Sequence, residues 1–314
     1  MSDIIVNGNI ESSLQTAFVE TYYILARQRQ SYLANTPAII HRPFKGQALA
    51  ISRAGAVKLN EDNSRNPLKN YTPYTFDRRF QTKRSFTLTI PIDRHDVFDA
   101  IADPKSPILQ AIIDEKNKLF DKVVHEAAIA DVRVGDDYGT SEVITALQDG
   151  VVFIDATSAY NFDTLRELKR SFGNVQGGFK VITQTQTEEE ALFAEEKFIN
   201  SLYRQSIGGA DGNTVNPMNL NTILGFSIIS AYQGSDNGQS GIGTIEDPII
   251  PEDGGVRHCL CLAENSIQAG VTELDINFQE YDPLYAHSSS ITFNIRISAV
   301  RLDGRLVRVV NTTI

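Results

Sequence analysis

The sequence predicts an α+β fold, and three observations point to it. One long amphipathic segment runs from Asp103 to Asp131, short strands alternate with helices between Val151 and Ser230, and the last quarter reads as strand after strand. The long segment is entered at Ser106-Pro107. Ser106 suits the cap and Pro107 the first helical position, where its missing N–H costs nothing. Leu109, Ile112, Ile113, Leu119, Phe120, Val123, Val124, Ala127 and Ala128 then recur at the spacing of one buried stripe, with Asp114, Glu115, Lys118, Asp121 and Lys122 mostly opposite. This predicts a helix over about 106–131, a rod of ~36 Å for ~24 residues.

The other elements follow in chain order. Residues 10–34 read as a helix with Leu14, Phe18, Tyr22 and Leu25 on one face, stopped by Pro37. The chain turns extended from Ala38 to Ser52, passes a polar, turn-rich tip over residues 60–75, and returns through Arg84–Ile92, where Phe86, Leu88, Ile90 and Ile92 alternate. Residues 45–92 therefore read as a long two-stranded excursion, marginal in water unless it rests on something else. Val151–Ile154 and Phe179–Thr183 read as strands. Asp163–Phe172 is a predicted helix closed by Gly173-Asn174, and a second starts at Thr187 and heads toward Tyr203. Gly225–Ser230 is a further strand. Residues 234–255 read as one long loop, and Val256–Ala263 as an apolar strand. Glu273–Glu280, Ser290–Arg301 and Arg305–Val310 close the chain, with Asp303-Gly304 a two-residue hairpin signal between the last two.

Charge is unevenly spread. From His41 to Arg94 eleven Lys or Arg face four acids, a net +7, so the remainder of a chain of formal charge −10 carries −17. Such asymmetry fits nucleic-acid contact, or a basic segment lying on the acidic surface of a second copy. The absence of any helix-turn-helix, zinc module or aromatic RNA platform favours the second. No apolar run reaches ~18 residues, and Met1–Gly8 lacks a positive leader followed by a long apolar block, so neither a membrane span nor a signal peptide is expected. Cys259 and Cys261 read as core thiols of a protein made in a reducing compartment.

Chemistry finds little purchase. The five histidines lack metal-ligand spacing, and His258 beside Cys259 has no third ligand. Asp93, Asp96, Asp99 and Asp103 read as a solvated turn, and Glu188, Glu189 and Glu190 as an exposed acidic face. Gly208, Gly209 and Gly212 follow a helix rather than a strand, so they form no phosphate loop. No nucleophile elbow is present. Catalytic, cofactor and metal residues are thus expected to be none, and the chain reads as a building block rather than an enzyme.

Four cues in order carry a resemblance. They are an arm segment, Phe18-Val19-Glu20-Thr21-Tyr22 through Arg27-Gln28-Arg29-Gln30-Ser31; the opening Ala102-Asp103-Pro104-Lys105-Ser106-Pro107 of a helix ending Ala127-Ala128-Ile129-Ala130-Asp131; Leu165-Arg166-Glu167-Leu168-Lys169; and Leu224-Gly225-Phe226-Ser227-Ile228-Ile229-Ser230. With the order of parts, the chain resembles the major capsid proteins of tailed bacteriophages and their Hong Kong 97-type fold. The resemblance implies an N-terminal arm at 1–44 and an extended E-loop hairpin at 45–92. It implies a peripheral domain of 93–148 and 256–314, holding the spine helix and a β-sheet, and an α/β axial domain at 149–255. It implies self-assembly as hexamers and pentamers into an icosahedral head in the host cytoplasm, enclosing double-stranded DNA through weak interior contacts. The implied location is the virion capsid. A separate scaffolding protein and a portal are implied partners, with decoration proteins left open. Arg53, Lys58, Arg65, Lys69, Arg78, Arg79, Lys83 and Arg84 of the E-loop are the expected inter-subunit contacts. An encapsulin-like compartment shell shares this fold, but the long 45–92 segment argues against it, and a scattered-site α/β enzyme is the remaining alternative.

Overall fold

The computed structural model describes residues 31–54, 76–92, 105–156, 160–173, 178–194, 222–230, 249–279 and 289–313. In chain order these form β1 (Ile39–His41), β2 (Ala48–Ala54), β3 (Phe76–Ile92), helix α1 (Lys105–Ile129), β4 (Val132–Val134), β5 (Glu142–Ile144) and β6 (Val152–Asp155). They continue through α2 (Phe162–Phe172), β7 (Lys180–Gln184), α3 (Gln186–Phe193), β8 (Thr222–Ile223), β9 (Phe226–Ser230) and β10 (Glu252–Asp253). The last four are β11 (Val256–Ala263), β12 (Ile267–Gln279), β13 (Ser289–Arg301) and β14 (Val307–Thr313). Two seven-stranded sheets result. The first runs β1-β12-β13-β3-β4-β5 with β2 added on β3, and the second runs β6-β14-β11-β7-β9-β8 with β10 on β11.

The α+β class is as the sequence predicts, and the excursion is a true ribbon: Ala48–Ala54 pairs antiparallel with Phe76–Thr82. Farther along, β3 joins the first sheet through Lys83–Ile92 against β13. It touches β4 at the single pair Arg79↔Val134. Beyond that point no other strand pairs with the two among the described residues, although Gly135 N donates to Arg78 O at 3.0 Å and Arg53 lies 3.5 Å from Asp303.

β11 explains how two sheets share one interior. Its residues are almost all buried, as for a strand covered on both faces. Because successive side chains alternate, Leu260 and Leu262 join one cluster with Phe120, Val123, Val124 and Ala128 of α1 and Phe293, Ile295 and Ile297 of β13. Cys259, Cys261 and Ala263 join the other, with Leu165, Leu168 and Phe172 of α2 and Leu192 of α3. The two thiols are free and buried, as expected of core cysteines. α1 thus packs on the first sheet and reaches the second, where His125 Nε2 lies 3.0 Å from Thr183 Oγ1.

Several expectations are corrected. Asp303-Gly304 does not close a hairpin. β13 lies between β12 and β3, so both its edges are taken, and β14 crosses to pair with β11 and β6 in the second sheet. Asp303 instead caps a short 3-10 turn by accepting from the Arg305 N–H at 3.0 Å. β11 and β14 pair in one sheet with the strands of 149–255, while β12 and β13 lie in the other beside α1. The end of the long loop is ordered: Ile249 and Ile250 are fully buried, and Gly254-Gly255, both at positive φ, turn β10 onto β11. α1 stops at Ile129 rather than Asp131, and the short strands β4 and β5 were not expected. The helix heading toward Tyr203 stops at Phe193, and residues 195–221 lie outside the described residues. α2 does end where glycine stops it, with Gly173 N donating to Arg170 O.

The end of the expected 10–34 helix, the part of it that is described, is a turn. Asp121, expected on the polar face of α1, is fully buried and holds that turn. Its carboxylate accepts from Ser31 Oγ at 2.6 Å, Tyr32 N at 2.9 Å and Leu33 N at 3.2 Å. Burial raises its pKa to about 6 against the lowering pull of those three donors. One helical turn on, burial pushes His125 down to about 4. Between about pH 4 and 6 the folded chain keeps a proton on Asp121 that the unfolded chain has lost, so this group makes stability fall as pH rises. His125 acts oppositely, since the unfolded chain binds the proton that the folded chain refuses, and its contribution rises with pH. Asp121→Asn removes the first effect only. Relative to wild type, its unfolding free energy should climb by about 2 kcal/mol between pH 4 and 6, read by urea titration of unassembled protein. A pH-independent difference would show that Asp121 ionises normally in the fold.

Candidate functional site

The base of the ribbon is tied down by charge. Arg79, carried on β3, is 2% exposed. It straddles Asp149 through both guanidinium nitrogens, Nη1 at 2.9 Å from Oδ2, and Nη1 also donates to Arg301 O at 3.0 Å. Arg301, at the end of β13, is equally buried and donates from Nε to the same carboxylate at 2.7 Å. Its Nη1 reaches Ala128 O at 2.7 Å and Ala130 O at 3.0 Å, so it satisfies orphan carbonyls at the C-terminus of α1, where a cation also suits the helix dipole. Burial alone would raise the Asp149 carboxyl. The hydrogen bonds and charges of Arg79 and Arg301 outweigh it and hold the group below the ordinary carboxylate value. The chain closes over this point, for a Cβ on Gly304 would sit 2.5 Å from Asp149 O.

A second buried network braces the other sheet. Thr185 and Glu188 form a capping box at the start of α3. Arg257 donates from Nη1 to Glu188 Oε1 at 2.8 Å and from Nε to Glu252 Oε1 at 2.8 Å, and Thr312 Oγ1 donates to Glu188 at 2.8 Å. Glu188 is therefore not part of an exposed acidic face. Burial would raise its pKa, but Thr185, Arg257 and Thr312 together lower it.

Of the eight basic residues expected at inter-subunit contacts, Lys58, Arg65 and Lys69 lie outside the described residues. Arg79 is corrected: buried and spent on Asp149, it anchors the ribbon from within and has no surface to offer a neighbour. The rest lie along the ribbon at its surface or edge, each with an intramolecular partner. Arg53 is 3.5 Å from Asp303, Arg78 Nη1 donates to Asp136 O at 3.1 Å, Lys83 stands over the Phe44 ring at 4.9 Å, and half-exposed Arg84 pairs with Glu126. Sequence reasoning missed Asp149, Arg301, Asp121 and Arg257 because each has partners far away in the chain. The one local signal was a charge inside an apolar strand, at Arg257 and Arg301. Among the described residues no group of three or more His, Cys, Asp or Glu is placed to hold a metal ion, and no helix is long and apolar enough to cross a membrane.

Removing one member of a buried ionic cluster leaves the others uncompensated, which typically costs about 3–5 kcal/mol. Asp149→Asn should therefore lose stability of that order in urea unfolding, whereas Arg305→Ala, on an exposed pair with the neighbouring Asp303, should change it by roughly 0–1 kcal/mol. Equal effects would show that the junction is not a stabilising knot.

Solved structures share this arrangement. The head structure of Helicobacter pylori bacteriophage KHP40 aligns over 88% of each chain with a TM-score of 0.62 and 10% identity. The Cyanophage Pam1 capsid asymmetric unit aligns over 91% of this chain and 93% of its own, with a TM-score of 0.61 and 14% identity. The capsid of Ralstonia phage GP4 aligns over 88% of this chain and 87% of its own, at 0.60 and 9%. No curated protein matches the sequence. The family described as phage capsid protein, however, matches residues 10–312. A match over nearly the whole length decides the family: this chain belongs to the phage capsid proteins and is a structural protein of the virion capsid.

Proposed function

We propose that the chain is the major capsid protein of a tailed bacteriophage, with a Hong Kong 97-type fold, and that it assembles as hexamers and pentamers into an icosahedral head enclosing double-stranded DNA. The observation that carries the reading is the ribbon. Among the described residues β2 pairs with β3 alone, β3 meets β4 at the single pair Arg79↔Val134, and Arg53, Arg78, Lys83 and Arg84 lie on these two strands. A ribbon of two strands is marginal by itself, so a neighbouring copy is the natural support. In this reading residues 1–44 are the arm and 45–92 the E-loop. α1 with β12 and β13 forms the peripheral unit, and the second sheet with α2 and α3 forms the axial one. Arg53, Lys58, Arg65, Lys69, Arg78, Lys83 and Arg84 face adjacent subunits across a body of net charge −17, which orients partners more than it tightens them. Closed symmetry turns many modest contacts into a stable shell. A scaffolding protein and a portal take part in assembly, and the acidic body leaves packaged DNA only weak interior contact.

Negative-stain electron microscopy of the purified chain, alone and with a candidate scaffold, tests this. Closed shells, or hexameric and pentameric rings, are expected. A monodisperse monomer or dimer under both conditions would overturn the reading.

A further inference from the structure

Between β1 and β2 the chain crosses the first sheet as a strap of residues 42–47, on the face opposite α1, where Ser85 and Arg296 alternate with the core residues Phe86 and Ile295. Arg42 N donates to Ala269 O at 2.9 Å, and a Cβ on Gly270 would sit 2.7 Å from Arg42 O. The strap therefore lies backbone to backbone on β12, at a position where only glycine fits. Phe44 is buried, and Gly46 turns the strap toward β2 at a φ of 103°.

Where the strap passes β3 and β13 it leaves a hollow of about 400 Å³ lined by Gly46, Gln47, Lys83, Ser85 and Arg296. β13 pairs with β3 at Arg296↔Ser85 and Ser298↔Lys83, so Lys83 and Arg296 are diagonal neighbours on one face, ~7–8 Å apart. Every side chain lining the hollow can donate a hydrogen bond, and none is an acid.

Charge indicates the occupant. The ribbon's other described cations are engaged: Arg53 with Asp303, Arg78 with Asp136 O, Arg79 with Asp149 and Arg84 with Glu126. Lys83 instead stands over the Phe44 ring at 4.9 Å, and among the described residues no carboxylate pairs with it. The ring fixes where the ammonium stands and leaves its charge unmet. Arg42 and Lys45, both exposed on the strap, add two more cations. Beyond β13, β12 carries Glu273 in register with Arg296 and Asp275 with Asn294, so four cations outnumber two acids. Geometry narrows the choice further. Donors converge from three elements, the strap, β3 and β13. A planar carboxylate offers two oxygens, whereas a tetrahedral phosphate presents oxygens to all three sides.

We propose that this hollow is a phosphate-binding site, in which a phosphate held by Lys83, Arg296, Ser85 and Gln47 staples the strap, and with it the root of the ribbon, to the first sheet. The group is either the inorganic ion or part of a nucleic-acid backbone. The site needs only the folded protomer and does not depend on the shell. A phosphate there withdraws Lys83 from the cations offered to neighbouring subunits.

The test titrates the unassembled full-length chain with inorganic phosphate, read by phosphorus NMR, and with a fluorescein-labelled DNA duplex, read by anisotropy. Saturable binding of one or both probes is expected. Ser85→Glu, which sets a tethered carboxylate in the hollow, and Lys83→Gln should each weaken it roughly tenfold or more. Arg166→Gln, on an exposed pair of α2, should leave it unchanged. Each variant is first checked for the wild-type thermal midpoint, and Ser85→Glu carries the test if loss of Lys83 unsettles Phe44. Duplex binding that both hollow variants weaken assigns the nucleic-acid backbone as the source, and phosphate binding without it assigns the inorganic ion. Saturable binding of neither probe, no loss in the hollow variants, or an equal loss in Arg166→Gln would overturn the site and leave the capsid reading standing.

Discussion

Asp149 between Arg79 and Arg301 is the contact on which the arrangement depends. Four pieces meet there: the base of the ribbon, the C-terminal end of α1, the end of β13 and the turn leading to β6. Two guanidiniums taken out of water cost several kcal/mol each unless paired; a single carboxylate with three backbone carbonyls answers most of their donors, while Arg79 Nε and Arg301 Nη2 find no partner among the described residues. Such a cluster adds less to net stability than an apolar core of the same volume would. What it does is tie those four pieces to one point through shared hydrogen bonds. The base of the ribbon is thereby fixed to the body at a defined point.

The second constraint is packing. One strand, β11, feeds alternate residues into two cores, and α1 lies where the first core meets both sheets. The two sheets cannot slide past one another without exposing Leu260 and Leu262 on one side or Cys259 and Cys261 on the other. Asp121 closes the same assembly from the N-terminal side by gathering residues 31–33 onto α1.

The candidate contact residues show how far a list drawn from charge can go. Position along the ribbon was legible, because a basic, turn-rich excursion without apolar support stands out in sequence. Which of its cations stay at the surface was not. Arg78 and Arg79 are neighbours of the same type, and strand alternation sends one outward and the other into the interior. The acidic residues divide in the same way: Glu188 is buried against Arg257 and Thr312, whereas Glu190 remains exposed.

By itself the sequence determined the elements whose signals are local. The stripe of α1 from Leu119 to Ala128, the glycine stop after α2, the alternation of the Arg84–Ile92 strand and the two core cysteines all rest on residues within a few positions of one another. Tertiary structure alone decided the pairings. Asp303-Gly304 has the chemistry of a hairpin turn, yet β14 crosses to the other sheet because β3 already occupies the edge of β13 that it would need. Gly304 and Asp149 approach each other across about half the chain, and Arg301 finds the end of α1 from still farther. A turn is chosen by the four residues that form it. Sheet membership and buried ion pairs are chosen by which distant surfaces exclude water together, and no window of sequence holds that information.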